Sequence, residues 1–264
     1  MKIAVFGLGE AGALISVDLV AAGVVVSGYD PAEVITPPGV ERVAQPAGAV
    51  RAADAVIALT QGHESITAIQ QALQEIPAQA FYADFSSNSP GNKQRLAEIA
   101  AQRGLQFADI ALLGTVPGKG LRTPALASGS GASRFVDTFA ALGMPVSKVS
   151  DQAGDAAMRK LLRSVMMKGL AGCVIEAMRA AEKAGCAEWL WGNLADEITR
   201  ADERLLSRLV RGSGPHAVRR LHEMEASLAM LQELGVEPLM TRGTVENLRH
   251  IPEQGLPAIP VLPD

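Results

Sequence analysis

Residues 7–12 read Gly7-Leu8-Gly9-Glu10-Ala11-Gly12, a G-x-G-x-x-G that follows the β-rich run KIAVF and leads into the helix-forming stretch AGALISVDLVAAG. Strand, glycine turn and helix in that order make the first half of a βαβ unit built to carry a phosphate, which leaves few folds open. Gly7 permits the tight turn, Gly9 lets the backbone approach a pyrophosphate, and Gly12 lets the helix pack closely on the strand. The helix start then offers unpaired N–H groups and the positive end of its dipole to the anion. Asp30 closes the next strand-like run, VVVSGYD, eighteen residues after Gly12. A carboxylate there can accept from both ribose hydroxyls and repel a 2′-phosphate. No Arg or Lys follows in GYDPAEV, so NAD is favoured and NADP stays open as the alternative cofactor. Leu8, Glu10 and Ala11 of the turn, Thr60 at the end of ADAVIALT, and Ser86 after AFYADF complete the expected cofactor contacts.

The alternation continues through the first half. ADAVIALT, AFYADFS, LQFADIALL, ALASG and PVSKV repeat the strand pattern, separated by helical stretches such as HESITAIQQALQEI and ASRFVDTFAALG. That order predicts an α/β Rossmann domain over 1–151, a mostly parallel doubly wound sheet with helices on both faces. From Asp151 onward the strand pattern stops, and an all-α domain is expected over 152–264. Its first helix is expected over about 153–184, with breaks near Gly185, Gly192, Gly212 to Pro215 and Gly235 to Pro238. The Pro-rich tail IPEQGLPAIPVLPD is expected to be extended. The Leu- and Met-rich helices between 187 and 250 are too few to cover one another, so a homodimer is expected.

Composition narrows the chemistry. Of 264 residues 48% are hydrophobic and 4% aromatic, giving an aliphatic core, and the net charge of -4 offers no general attraction for nucleic acid. Cys173 and Cys186 lack ligand-like spacing and read as reduced thiols of a cytoplasmic protein; His63, His216, His222 and His250 are scattered, so no metal is expected. The opening apolar run is too short for a signal peptide, and no run reaches the ~18 apolar residues of a membrane span. GTVPGKG lacks the phosphate-loop spacing, and no G-x-S-x-G elbow occurs, which removes support for kinase and serine-hydrolase chemistry.

One stretch asks for a chemical reading: GDAAMRKLLRSVMMKG, 154–169, sets Lys160, Ser164 and Lys168 four residues apart on one helical stripe. A lysine beside an apolar cleft can take a hydroxyl proton or return it to a carbonyl oxygen, because desolvation and neighbouring cations bring its pKa toward neutrality. Ser164 could bond a reacting oxygen or its own helix backbone, and Ser164 and Lys168 are expected to position or polarise the substrate beside Lys160. Asn88 lies beyond a strand's carboxyl end, and Lys119 and Arg122 in PGKGLRTP are candidate anchors for an acidic small-molecule substrate. Trp189 and Trp191 lie in the helical half, where packing is expected and lining the cleft is the alternative.

Taken in order, GLGEAG, YADFSSNSPG, DIALLGTVPGKGLRTPALASG and GDAAMRK resemble the β-hydroxyacid dehydrogenases, relatives of 6-phosphogluconate dehydrogenase. The resemblance implies that Asp84, Ser86, Ser87 and Pro90 form one cofactor-side motif. It also implies that Asp109 to Thr115 form a substrate loop with Leu113, Gly114 and Thr115 in contact, and that Lys160 is the catalytic lysine. It places the Lys160 stripe at an interdomain cleft where nicotinamide and substrate meet. This chain has Leu113 where the family carries serine, Thr115 in place of a glycine and Ser164 in place of an asparagine. LRTPALASG and LRSVMMKGLAG resemble a branch whose C-terminal domain has a placeholder name. Two rival readings share the architecture. One is an imine reductase, which usually carries an acid or tyrosine where Lys160 stands; the other is a catalytically silent NAD(P) sensor.

Overall fold

The structure, a computed structural model, describes residues 1–260; the last four residues of the Pro-rich tail lie outside the described residues. The chain forms two compact units, 1–163 and 164–264.

The first unit is an eight-stranded sheet flanked by helices. Strands β1 (Lys2–Phe6), β2 (Val25–Tyr29), β3 (Val40–Arg42), β4 (Ala55–Ala58), β5 (Phe81–Asp84), β6 (Gln106–Leu112), β7 (Ala125–Ser128) and β8 (Val146–Ser150) run in the order β3-β2-β1-β4-β5-β6-β7-β8. Neighbours are parallel except β6 and β7, which pair antiparallel from Asp109 opposite Ser128 to Leu112 opposite Ala125. The order reverses between β1 and β4, the switch point at which open sheets of this kind bind ligands beyond their carboxyl ends.

Apolar residues alternate between two cores because successive strand side chains point to opposite faces. Ile3 and Val5 of β1 and Ile57 of β4 join one core with Ile15 and Leu19 of helix α1 (Glu10–Ala21) and Phe135 and Phe139 of α5 (Ala132–Ala141). Ala4, Phe6 and Val56 join the other with Ala49 of α2 (Pro46–Val50), Ile69 of α3 (Ser65–Ala72) and Leu96 of α4 (Pro90–Ala101). The start of α4 is set by Ser89, whose Oγ accepts the Asn92 N–H, and by Pro90 in the first turn. Strand β3 escapes a sequence reading because its three residues, VER, are too few and too polar to show alternation.

The predicted domain boundary at 151 moves to 163 for a physical reason. Helix α6 (Asp155–Ala184) begins fastened to the sheet: Asp109 Oδ2 accepts from the Gly154 and Ala157 N–H groups at 3.1 and 3.0 Å, and Ser128 Oγ accepts from Ala156 N–H at 3.0 Å. Its first turns therefore belong to the α/β unit.

The second unit holds the rest of α6 with α7 (Ala187–Thr199), α8 (Glu203–Arg211), α9 (Ala217–Glu233) and α10 (Leu239–Gln254). Gly192 lies inside α7 instead of ending a helix, and the break falls at 200–202. The first residues of the expected extended tail continue α10 through Pro252. The unit's buried core is small, Ala180, Leu231 and Val236 with Leu234 beside them. Trp189 and Trp191 do not pack inside; they are 68% and 60% exposed.

One buried carboxylate organises this unit. Glu176, 7% exposed, accepts from the Met240 and Thr241 N–H groups at 2.8 and 2.9 Å and from the Thr241 hydroxyl at 2.7 Å, closing the start of α10. Burial works against its charge, yet the Thr241 hydroxyl and the N–H groups of Met240, Thr241 and Leu239 hold its pKa below the ordinary 4.5. Its contribution to stability is complete above that ordinary value and is lost as pH falls through the lower folded value. Glu176→Gln is expected to destabilise the protein by about 1–3 kcal/mol at pH 7. In urea titrations the gap from wild type should close in acid; a gap that persists at pH 3 would contradict the assignment.

Candidate active site

At the switch point the glycine turn has the geometry its sequence requires. Gly7 stands at φ +87°, and a Cβ there would meet the Leu59 carbonyl oxygen at 2.6 Å; a Cβ on Gly12 would lie 1.8 Å from the Gly7 carbonyl oxygen. A Cβ on Gly9 would find nothing within 4 Å, so open space lies over that residue. Gly9 precedes α1 without a side-chain cap, leaving the helix N–H groups to be met by an anion. A cavity of about 550 Å³ opens here, lined among others by Gly7, Gly9, Tyr29, Asp30, Thr60 and His63. Thr60 Oγ1 is buried with no hydrogen-bond partner among the described residues. Open space at the turn, an uncapped helix start and an unpaired hydroxyl fit a dinucleotide.

The other expected cofactor residues divide by what their atoms already do. Leu8 is buried and brings only backbone to the site, its N–H bonding Asp30 Oδ2 at 2.7 Å. Asp30 Oδ1 accepts from Ala32 N–H at 2.9 Å, so this carboxylate shapes the turn as well as facing the cavity. Arg42 is engaged nearby, donating to the carbonyls of Val34, Ala32 and Asp30 at 2.5, 2.6 and 3.2 Å. Glu10 is exposed in the first turn of α1, and Ala11 packs partly on the core. Ser86 turns inward, its buried hydroxyl donating to Asp84 Oδ1 at 2.5 Å.

Ser87, the next residue, faces outward and accepts from Lys160 Nζ at 2.9 Å. This pair stands just beyond the carboxyl end of β5, on the edge of the sheet that carries the glycine turn. Lys160 itself is half-buried. The side-chain amide of Asn88 is fully engaged: its Nδ2 donates to Gly62 O and Ser65 Oγ at 2.7 and 3.0 Å, and its Oδ1 accepts from Ser89 N–H and Asn92 Nδ2. It braces the turn after β5. Ser164 and Lys168 lie in the second unit, the first half-buried and the second exposed.

In the expected substrate loop, Asp109 is fully buried and serves α6, while Leu113 N–H bonds Pro124 O at 2.8 Å. Gly114 and Thr115 are exposed, and Lys119 Nζ would stand 3.9 Å from a Cβ on Gly114. Leu121 N–H bonds Asp18 Oδ2 at 2.7 Å, pinning the loop to α1, and Arg122 is exposed. Sequence reasoning passed over Ser87 as a site residue although it had placed it in a motif. It also passed over Tyr29 and His63, for which the strand end and the turn after β4 were the available signs. Among the described residues no group of three or more His, Cys, Asp or Glu could hold a metal, and no helix is long and apolar enough to cross a membrane.

A switch-point crevice and a glycine turn feeding an uncapped helix define a dinucleotide-binding α/β protein. Residues 2–135 match the NAD binding domain of 6-phosphogluconate dehydrogenase, and the chain belongs to that family; NAD(P) is its cofactor. Residues 181–251 match a domain of unknown function, DUF1932. The chain is 26% identical over 172 residues to an uncharacterized 28.5 kDa protein in the 7S RNA 5′ region of Methanothermus fervidus, covering 65% of this chain and 66% of that protein, just under two thirds of its length. A conserved hypothetical protein from Sinorhizobium meliloti 1021 is 26% identical, with a TM-score of 0.61 over 97% of this chain and 91% of that one. A reductive aminase from Aspergillus terreus, in complex with NADPH and ethyl levulinate, shares the fold at a TM-score of 0.79 and 19% identity, over 96% and 94% of the two chains.

Proposed function

We propose that this oxidoreductase moves hydride between the nicotinamide and a carbon of a small hydroxy or carbonyl compound, a hydroxy acid foremost, with Lys160 as general acid and base. The observation that carries this reading is the 2.9 Å bond from Lys160 Nζ to Ser87 Oγ at the carboxyl edge of the sheet. Bound NAD(P) supplies or accepts the hydride. In oxidation the neutral Lys160 amine takes the hydroxyl proton; in reduction the ammonium returns it to the carbonyl oxygen. Because Ser87 Oγ accepts from Lys160, its own proton remains to be given to a substrate oxygen. Lys119, standing over Gly114, is a cation suited to a substrate carboxylate.

Asp30 and the engagement of Arg42 with three carbonyls favour NAD. The test is fluorescence titration with NADH and NADPH, then a panel of hydroxy acids with NAD+ and cyclic imines with NADH. Tighter NADH binding and turnover of hydroxy acids are the expected results; tighter NADPH binding would overturn the cofactor preference. Imine reduction is the second reading, favoured by the fold shared with the reductive aminase, and turnover of imines alone would establish it. Dinucleotide binding without turnover on either panel would leave a sensor.

A homodimer belongs to the same proposal. Val165 is 75% exposed, and an open cavity of about 430 Å³ in the second unit is lined by apolar groups including Trp189, Met224, Met230 and Met240. Such surface is what a second copy would cover. Light scattering at micromolar concentration should give twice the chain mass, and a monomer would contradict it. Cys173 and Cys186 are free, exposed thiols, which suits a reducing cytoplasm as the place where such a dimer would work.

A further inference from the structure

Beneath the Lys160–Ser87 pair lies a cluster of buried charges that the reaction does not use. Lys93, on α4, is 1% exposed. Its ammonium lies 2.5 Å from Asp84 Oδ1 and donates to the Asp84 carbonyl at 2.9 Å. Asp109 Oδ1 lies 3.1 Å away, a contact of charge without an aligned hydrogen bond. Asp84 and Asp109 sit side by side in register on β5 and β6. One ammonium therefore faces two carboxylates, and the formal excess of negative charge is met by α6, whose first N–H groups point at Asp109 Oδ2.

The connections lead outward in two directions. Asp84 holds the hydroxyl of Ser86, and the next residue is Ser87, the partner of Lys160. Asp109 holds the start of α6 directly and also takes the Ser128 hydroxyl at 3.1 Å; Lys160 stands in the following turn of that helix. Both ends of the Lys160–Ser87 bond are thus tied to the same buried ammonium. Apolar side chains of equal volume would serve stability as well or better than a buried ion cluster. The charges add direction, since each carboxylate oxygen fixes a particular N–H or hydroxyl. We propose that Lys93, through Asp84 and Asp109, is a positioning residue that sets the height and orientation of Lys160 against Ser87.

This rests on the reading of Lys160 as acid and base, so Lys160→Met is run alongside. The variants are Lys93→Met; Lys93→Met with Asp84→Asn, which removes the stranded charge; and the milder Ser128→Ala, which removes one cap of α6. The first readout needs no turnover: the pH dependence of Lys160 acylation by acetic anhydride in the full chain, mapped by mass spectrometry, beside thermal melting. The second is kcat against KM on whichever panel substrate is active. The expected result is that the double variant melts near wild type, yet the Lys160 acylation profile is displaced in it and in Ser128→Ala. In the double variant kcat should fall roughly 10- to 100-fold, the scale of a small misplacement, with KM little changed. Wild-type acylation profiles in every folded variant would overturn the proposal, as would wild-type kcat in the double variant while Lys160→Met is inactive. If Lys160→Met turns over normally, the acid and base reading is what fails.

Discussion

Replacing Lys160 with methionine should lower kcat by about 10²–10⁴-fold, the usual share of general acid–base catalysis, and leave NADH affinity unchanged. Methionine keeps much of the length and most of the flexibility of lysine, so the helix and its fastening to Asp109 and Ser128 survive. What disappears is the proposed acid and base, together with the bond to Ser87 Oγ. Loss of NADH affinity along with kcat would place Lys160 in cofactor binding instead. Steady-state rates beside fluorescence titration separate the two. An unaltered kcat would remove the central residue of the proposed chemistry and turn attention to Ser87 or to another donor.

The second large effect belongs to Gly12. Gly12→Ala puts a methyl group 1.8 Å from the Gly7 carbonyl oxygen, and neither atom is the end of a side chain that could swing away. Helix α1 must leave β1 or the turn must open. Overpacking of this kind costs about 1–3 kcal/mol or more, and the melting temperature should fall with it. NADH binding should weaken as well, because a displaced turn no longer presents the first N–H groups of α1 to the pyrophosphate. Gly9→Ala is the informative partner, because a Cβ there meets nothing within 4 Å. It should melt like wild type and still bind NADH more weakly, since only a bound pyrophosphate would feel the methyl group. Equal melting temperatures for Gly12→Ala and wild type would mean that the turn is softer than its contacts imply.

Periodicity and glycine spacing made the α/β half legible, since a strand buried on both faces reads as an apolar run and a phosphate turn needs glycines at fixed intervals. They said less about which polar groups face out. Ser86 and Ser87 are identical in type and adjacent, yet in the bend after β5 one is buried against Asp84 and the other is exposed and meets Lys160. Asp109 looked like the head of a substrate loop and proved to be a buried cap, because residue type does not reveal burial. Lys93 was hidden in the polar opening NKQR of an amphipathic helix, where a lysine ordinarily faces water. In the helical half, Gly192 shows that a glycine on an exposed helix lowers propensity without ending the helix.

The two N–H groups held by Asp30 bear on any attempt to redesign cofactor choice. Exchanging an acid for a base at the ribose is the obvious route from NAD to NADP, but here that carboxylate is also the clasp between the glycine turn and the loop after β2. Arg42, the nearby cation, is fastened to the carbonyls of the same loop. The carboxylate proposed to favour NAD and the folding of the cradle are therefore inherited together. A useful library would vary the length and sequence of 31–34 along with Asp30, so that each new charge arrives with a loop able to stand without the old one.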